Sequence, residues 1–194
     1  MDGDNPQRDT AAPERRPGFL RRWMGGLTPD PGSSDPRTLG KWGGIVAGAY
    51  LLIAATVGFY WSSTPEHFDV RENAARYAAA TEQDVVTGTT TVATLQETIR
   101  TLLEKPGGYL HNDLFPPGVW LDNMPNWEYG VLVQSRDLAR ALREVLSRSQ
   151  SQSKEDVDLT LAEPRINFQS KSWILPASES EYRDALRFLE AYRA

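Results

Sequence analysis

The sequence predicts a mainly α-helical protein in three pieces. These are a disordered N-terminal tail, one transmembrane helix, and a helical extracytoplasmic domain with a structured loop rich in proline, glycine and aromatic residues. Three observations carry this expectation. Residues 43–60, GGIVAGAYLLIAATVGFY, contain no charged side chain. The charge balance changes across that run, from seven basic and six acidic side chains in residues 1–41 to 14 basic and 20 acidic in residues 62–194. Beyond the run, apolar residues recur at spacings of three and four in several stretches, as in helices with one buried face.

The tail, residues 1–41, carries six prolines and six glycines. Such a composition buries too little apolar surface to offset chain entropy, so disorder is expected. Within it, Arg15, Arg16, Arg21 and Arg22 bracket Phe19, Leu20, Trp23 and Met24. Arg21, Arg22 and Trp23 are candidates for a membrane-interface contact, each basic residue contributing about 1 kcal/mol beside anionic headgroups. A charge cluster that only sets topology is the plainer alternative.

Residues 42–61 form the expected span. At 1.5 Å per residue, twenty helical residues cover roughly the 30 Å hydrocarbon core. Trp42 and Trp61 fall where aromatic anchors sit at the two interfaces. A buried core helix would be amphipathic or shorter, and a cleaved signal peptide would start nearer the N-terminus and end in small residues. Arg21, Arg22, Arg37 and Lys41 precede the span, whereas residues 62–70 contain no Lys or Arg. The positive-inside rule then leaves the N-terminus in the cytoplasm and residues 62–194 outside it. Gly44 and Gly48, with Gly40 a turn earlier, share one helix face and are candidates for close helix packing, unless they reflect only the general frequency of glycine in membrane helices.

In the outer domain, residues 73–83 are alanine-rich and predict a helix. Residues 88–91 predict a turn with a capping threonine. Val92, Leu95, Ile99, Leu102 and Leu103 predict an amphipathic helix stopped by Pro106, Gly107 and Gly108. Residues 107–130 hold three prolines, four glycines and five aromatics and predict a structured loop whose aromatics are not all left in water. A further helix is expected from Trp127 to about Arg148, with Arg136, Arg140 and Arg143 as a solvated stripe. Residues 147–153 read as a flexible linker. Ile166 and Phe168 alternate as in a short strand or an extended packing segment. Ser178 and Glu181 form a capping box for a last helix. That helix meets no stop signal before Ala194, so a C-terminally incomplete domain is expected.

Composition excludes several chemistries. Without cysteine there is no disulfide framework, Cys-ligated zinc, iron–sulfur cluster or thiol nucleophile. The two histidines, His67 and His111, offer little to a metal site, and a net charge of −5 is unlike a nucleic-acid binder. No GxSxG, HExxH, P-loop, dinucleotide or DxDxDG calcium pattern occurs, so no cofactor and no metal are expected. The chemistry-bearing side chains cluster in the loop: His111, Asp113, Trp120, Asp122, Asn123, Trp127 and Glu128. His111 with Asp113 suggests a base and its orienting partner, but no nucleophile accompanies them. Asp113, Asp122 and Glu128 offer a carboxylate pair of the kind that cleaves glycosides, flanked by aromatic platforms for a sugar. Structural bracing by turn-capping Asn and Asp and core-filling aromatics is the commoner use of such residues.

Two blocks, GGYLHNDLFPPGVWLDNMPNWEYGVLVQSRDLARAL and SRSQSQSKEDVDLTLAEPRINFQSKSWILPASESEY, give the chain a wider relation. Over roughly residues 40–194 it resembles an uncharacterised domain-of-unknown-function family of single-pass bacterial inner-membrane proteins. The resemblance implies one N-terminal transmembrane helix, a bacterial membrane location and more helix beyond Ala194. It carries no catalytic residue. The resulting expectation is an inner-membrane protein whose periplasmic domain is a scaffold or partner-binding module rather than an enzyme. Its partners would be the lipid bilayer and either other envelope proteins or a second copy through the transmembrane helix. The alternative is a protein that binds or cleaves cell-wall glycan through the 107–130 loop.

Overall fold

A computed structural model of the chain describes residues 36–80, 84–86, 88–146 and 155–193. Arg21, Arg22 and Trp23 of the tail, and the 147–153 linker, lie outside the described residues. The structure is mostly helical, and no strand occurs among the described residues. The chain divides into two compact units, residues 1–49 and 50–194, with the division inside the first helix.

That helix, α1, spans Pro36–Trp61. Its start corrects the expected tail boundary: residues 36–41 are helical. Proline is suited to a first turn, where its fixed φ is helical and its missing N–H has no intrahelical acceptor to lose. In the first unit, residues from Ile45 to Ala49 of α1 are exposed, and a Cβ added to Gly44 or Gly48 would meet nothing within 4 Å. Over residues 37–61, α1 is the one helix among the described residues long and apolar enough to cross a membrane.

The second unit continues from Tyr50. A strap, residues 62–69, leads from α1 to α2 (Val70–Ala80), whose first turn is held by Asp69 Oδ1 accepting the N–H groups of Arg71 and Glu72 at 2.9 and 2.8 Å. Helix α3 (Thr89–Glu104) starts after Gly88, which adopts φ +97°. The expected threonine cap is absent: Thr89 Oγ1 accepts the N–H of Val86, outside the helix, at 3.2 Å. Gly107 and Gly108, at φ +86° and +70°, turn the chain after α3.

Helix α4 (Asn123–Ala141) begins four residues before Trp127 and widens into a π-helical turn at Leu142–Leu146. The loop therefore covers 105–122, with one 3-10 turn at Gly118–Trp120, and residues 123–130 are helical. Pro125 does not prevent this, because the first turn needs no N–H from it. Helix α5 (Val157–Ile166) replaces the expected strand or extended segment around Ile166. Asp156 caps it, accepting the N–H groups of Asp158 and Leu159 at 2.9 and 3.1 Å. Helix α6 (Ser178–Arg193) lacks the expected capping box. Ser178 Oγ instead donates to the Gln169 carbonyl at 2.7 Å and accepts the Ser172 N–H at 3.1 Å, closing the loop before the helix.

Helices α3, α4, α5 and α6 enclose one core, centred on Leu95, Ile99, Leu102, Leu132, Leu159, Ile166, Tyr182 and Leu189. Helix α2 packs on α3 through Ala74, Tyr77 and Ala93, and the Asn73 amide donates to the Ala93 carbonyl at 3.0 Å. The arginines of α4 are not a purely solvated stripe. Arg136 donates to the carbonyls of Ile166 and Phe168 at 2.9 and 2.5 Å, satisfying acceptors left open where α5 ends. Arg143 meets Glu163 at 2.7 Å, which ties α4 to α5 a second time.

Candidate functional site

The loop after α3 is organised by a buried ion pair. Lys105 ends α3 and Glu128 lies in the second turn of α4; the Lys105 ammonium stands 2.5 Å from Glu128 Oε1, and both side chains are sealed from solvent. Both carboxylate oxygens accept the Leu110 N–H, at 2.9 and 3.0 Å, and the ammonium also donates to the Gly108 carbonyl at 2.5 Å. Burial pushes the Glu128 carboxyl up, and the lysine and the backbone donors pull it back. Glu128 is thus a brace for the turn at Gly107 and Gly108, and it presents no oxygen to a bound sugar.

The other candidates hold different neighbours. His111 Nδ1 lies 3.0 Å from the Pro125 carbonyl, so that nitrogen donates, and the ring stacks on Tyr129 at 5.4 Å between centroids. Burial depresses the His111 pKa against the hydrogen bond to Pro125, with the charges of Lys171 and Arg136 adding to the depression. His111 and Asp113 therefore do not form the imagined base and orienting partner. Asp113 packs against Gly118, where any side chain would overlap its carboxylate. Burial and the charge of Glu179 raise the Asp113 pKa, opposed by Lys105. Beside it, the buried Asn112 amide donates to the Ser172 carbonyl at 2.8 Å and to Glu179 Oε2 at 2.9 Å, joining this loop to the one before α6.

Asp122 is exposed at the start of α4 and its side chain caps nothing. Asn123 meets Ser62 of the strap, its Oδ1 accepting from Ser62 Oγ at 3.4 Å. Trp127 borders a small apolar cavity of about 190 Å³ with Phe68, Val70 and Val131. Among the loop's aromatics Tyr109 is buried while Trp120 and Phe115 are largely exposed, so they are not all left in water. The structure thus braces His111, Asp113 and Glu128 into the fold and leaves Trp120 and Asp122 open. Of the interface candidates, Trp42 is half-buried within the first unit. Trp61 is half-buried in the second, with its indole against Gly107; a Cβ there would stand 2.8 Å from the ring.

A cleft that sequence motifs did not mark lies between the strap, α2 and α3. Its volume is about 590 Å³, and Glu66, His67, Arg76, Glu97, Arg100 and Glu104 line it. An adjoining opening of about 340 Å³ shares Arg76, Glu97 and Arg100. Arg100 approaches Glu97 at 3.8 Å and Glu190 of α6 at 3.3 Å, and its guanidinium lies 5.9 Å from the centre of the Tyr77 ring. Tyr77 donates to Glu97 at 3.1 Å. These residues alternate in sign over two helices and a linker, so no local spacing reveals them. No group of three His, Asp or Glu side chains among the described residues is placed to hold a metal ion.

No curated protein and no solved structure shows detectable similarity to the chain. Residues 37–194 match a protein family, and on that match the chain belongs to the bacterial family described as "Uncharacterized protein conserved in bacteria (DUF2333)".

Proposed function

We propose that this chain is a single-pass inner-membrane protein, N-terminus in the cytoplasm, whose helical outer domain is a scaffold or partner-binding module. The uncharged length of α1 and the basic residues before it support the membrane placement. The observation that carries the partner-binding reading is the open cleft of about 590 Å³, lined by charges of both signs. Such a lining fits a peptide segment with mixed charge, because each guanidinium and carboxylate has a complementary group to offer. The Gly44 and Gly48 face of α1 adds a route to self-association or to a partner helix.

A photo-crosslinking residue at Thr101, on the cleft wall, tests this in native membranes, with Glu144 as a control position. The expected result is a discrete protein adduct from Thr101 that is absent from Glu144 and lost when Arg100→Glu is added. The same adducts from both positions would contradict the reading. A glycan-binding or glycan-cleaving role is the second reading, favoured by the exposed indole of Trp120. It predicts co-sedimentation of the protein with isolated cell wall, weakened by Trp120→Ala; failure to co-sediment excludes it.

A further inference from the structure

Two loops of the second unit expose large apolar side chains and no charged ones. Residues 114–121, LFPPGVWL, lie between Asp113 and Asp122, and residues 173–177, WILPA, between Ser172 and Ser178. Phe115 is 65% exposed, Trp120 57%, Ile174 66% and Leu175 91%. The loops are neighbours, with the rings of Phe115 and Trp173 at 6.0 Å between centroids. Exposed apolar groups contiguous in this way mark a surface that something covers.

The contacts to α1 show where that surface lies. A Cβ placed on Gly58 would stand 3.3 Å from the Pro117 side chain and 3.7 Å from that of Leu121. The first loop is therefore packed directly on α1. Gly58 precedes Trp61 by three residues, about 4.5 Å along a helix. Trp61 is itself in contact with the domain at Gly107. With Trp61 at the outer interface, the tip of the loop reaches the level of the upper acyl chains.

Part of the backbone in these loops is satisfied internally, which lowers the cost of placing peptide groups beside lipid. In the first loop the N–H groups of Val119, Trp120 and Leu121 donate to the carbonyls of Phe115, Pro117 and Gly118 at 3.2, 3.0 and 3.0 Å. Pro116 and Pro117 have no N–H to satisfy. In the second loop Ser178 N–H donates to the Ser172 carbonyl at 3.0 Å, Ser172 Oγ donates to the Pro176 carbonyl at 2.7 Å, and Pro176 has no N–H.

We propose that residues 114–121 and 173–177 form an apolar collar beside the end of α1 that inserts into the outer leaflet of the bilayer. The partner is the lipid surface itself, entered to the depth of about 5–10 Å usual for interfacial elements. This rests on the reading of α1 as a membrane span. The collar makes the domain a body with a fixed tilt against the membrane, so that the charged cleft opens at a set height above it.

The full chain, reconstituted in vesicles of phosphatidylethanolamine and phosphatidylglycerol, tests the proposal. Because the chain has no cysteine, Leu52→Cys, Phe115→Cys, Leu175→Cys and Arg187→Cys each carry a single environment-sensitive fluorophore. Lipids spin-labelled on the upper acyl chain are expected to quench positions 115 and 175, and lipids labelled near the chain end position 52, several-fold more than exposed position 187. Quenching at 52 with 115 and 175 no more quenched than 187 overturns the collar and leaves the membrane span standing. Failure at position 52 removes the span, and the collar with it. A blue-shifted but unquenched probe at 115 or 175 means that protein rather than lipid covers the loops, and also overturns the proposal. As a second arm, Ile174→Asp with Leu175→Asp is expected to reduce quenching at 115 several-fold while circular dichroism is unchanged. Undiminished quenching at 115 counts against insertion by the second loop.

Discussion

Lys105 and Glu128 illustrate how a side chain's apparent chemistry is decided by its neighbours. Neither the spacing of the two residues nor their types distinguished a sugar-cleaving carboxylate from a structural one, because the lysine is 23 positions away in sequence. Breaking a buried pair leaves an uncompensated charge, so Lys105→Met should lower stability by about 3–5 kcal/mol in denaturant unfolding. Adding Glu128→Gln should recover part of that loss, since the amide oxygen still accepts the Leu110 N–H. A second loss as large as the first would contradict coupling between the two. Asp113 gives a pH test. Its folded pKa lies above the ordinary 3.8 through burial and Glu179. The folded state then holds its proton more tightly than the unfolded one, so ionisation costs stability as pH rises through the folded value. Asp113→Asn removes that cost and should melt higher than the unaltered protein near neutral pH. The difference should shrink as pH falls toward 3.8. A gap independent of pH would show that Asp113 acts through packing against Gly118 alone.

At the scale of elements, helices with a long apolar period and the alanine-rich one at Val70–Ala80 were legible, and the short, proline-interrupted one at Val157–Ile166 was not. Helix α3 lies where Val92, Leu95, Ile99 and Leu102 indicate, because one buried stripe fixes both element and face. Helix α5 was missed, since it has only ten residues and Pro164 reads as a breaker in a sequence. Its clearest signal was Asp156, whose carboxylate caps the first turn. Asp156→Ala should destabilise the domain by about 0.5–2 kcal/mol, read by thermal unfolding; no change would mean that tertiary packing alone holds α5. The loop before α4 was recognised as structured, but its end was placed too late because Pro125 was counted as a loop residue. Gly107 joins this loop to α1, with φ +86° and the Trp61 indole where a side chain would go. Gly107→Ala should cost about 1–3 kcal/mol and make the 62–69 strap more susceptible to limited proteolysis. Unaltered cleavage would show that the junction tolerates displacement of Trp61.

For the whole molecule, the long apolar helix was legible because an uncharged run of that length marks it in the sequence, and the family relation rests on most of the chain. The candidate site was less so. Its residues were picked from one aromatic-rich stretch, whereas the cleft is assembled from the strap, α2 and α3, and the exposed collar joins two loops over 50 residues apart. Contacts of that range leave no local pattern. The central claim is that α1 anchors the chain and holds the helical domain outside the cytoplasm. Labelling of Arg187→Cys by a membrane-impermeant maleimide in intact spheroplasts tests it most directly. The account predicts full labelling before lysis, with the protein retained in the membrane after carbonate washing. Labelling only after lysis, or release by carbonate, would contradict it.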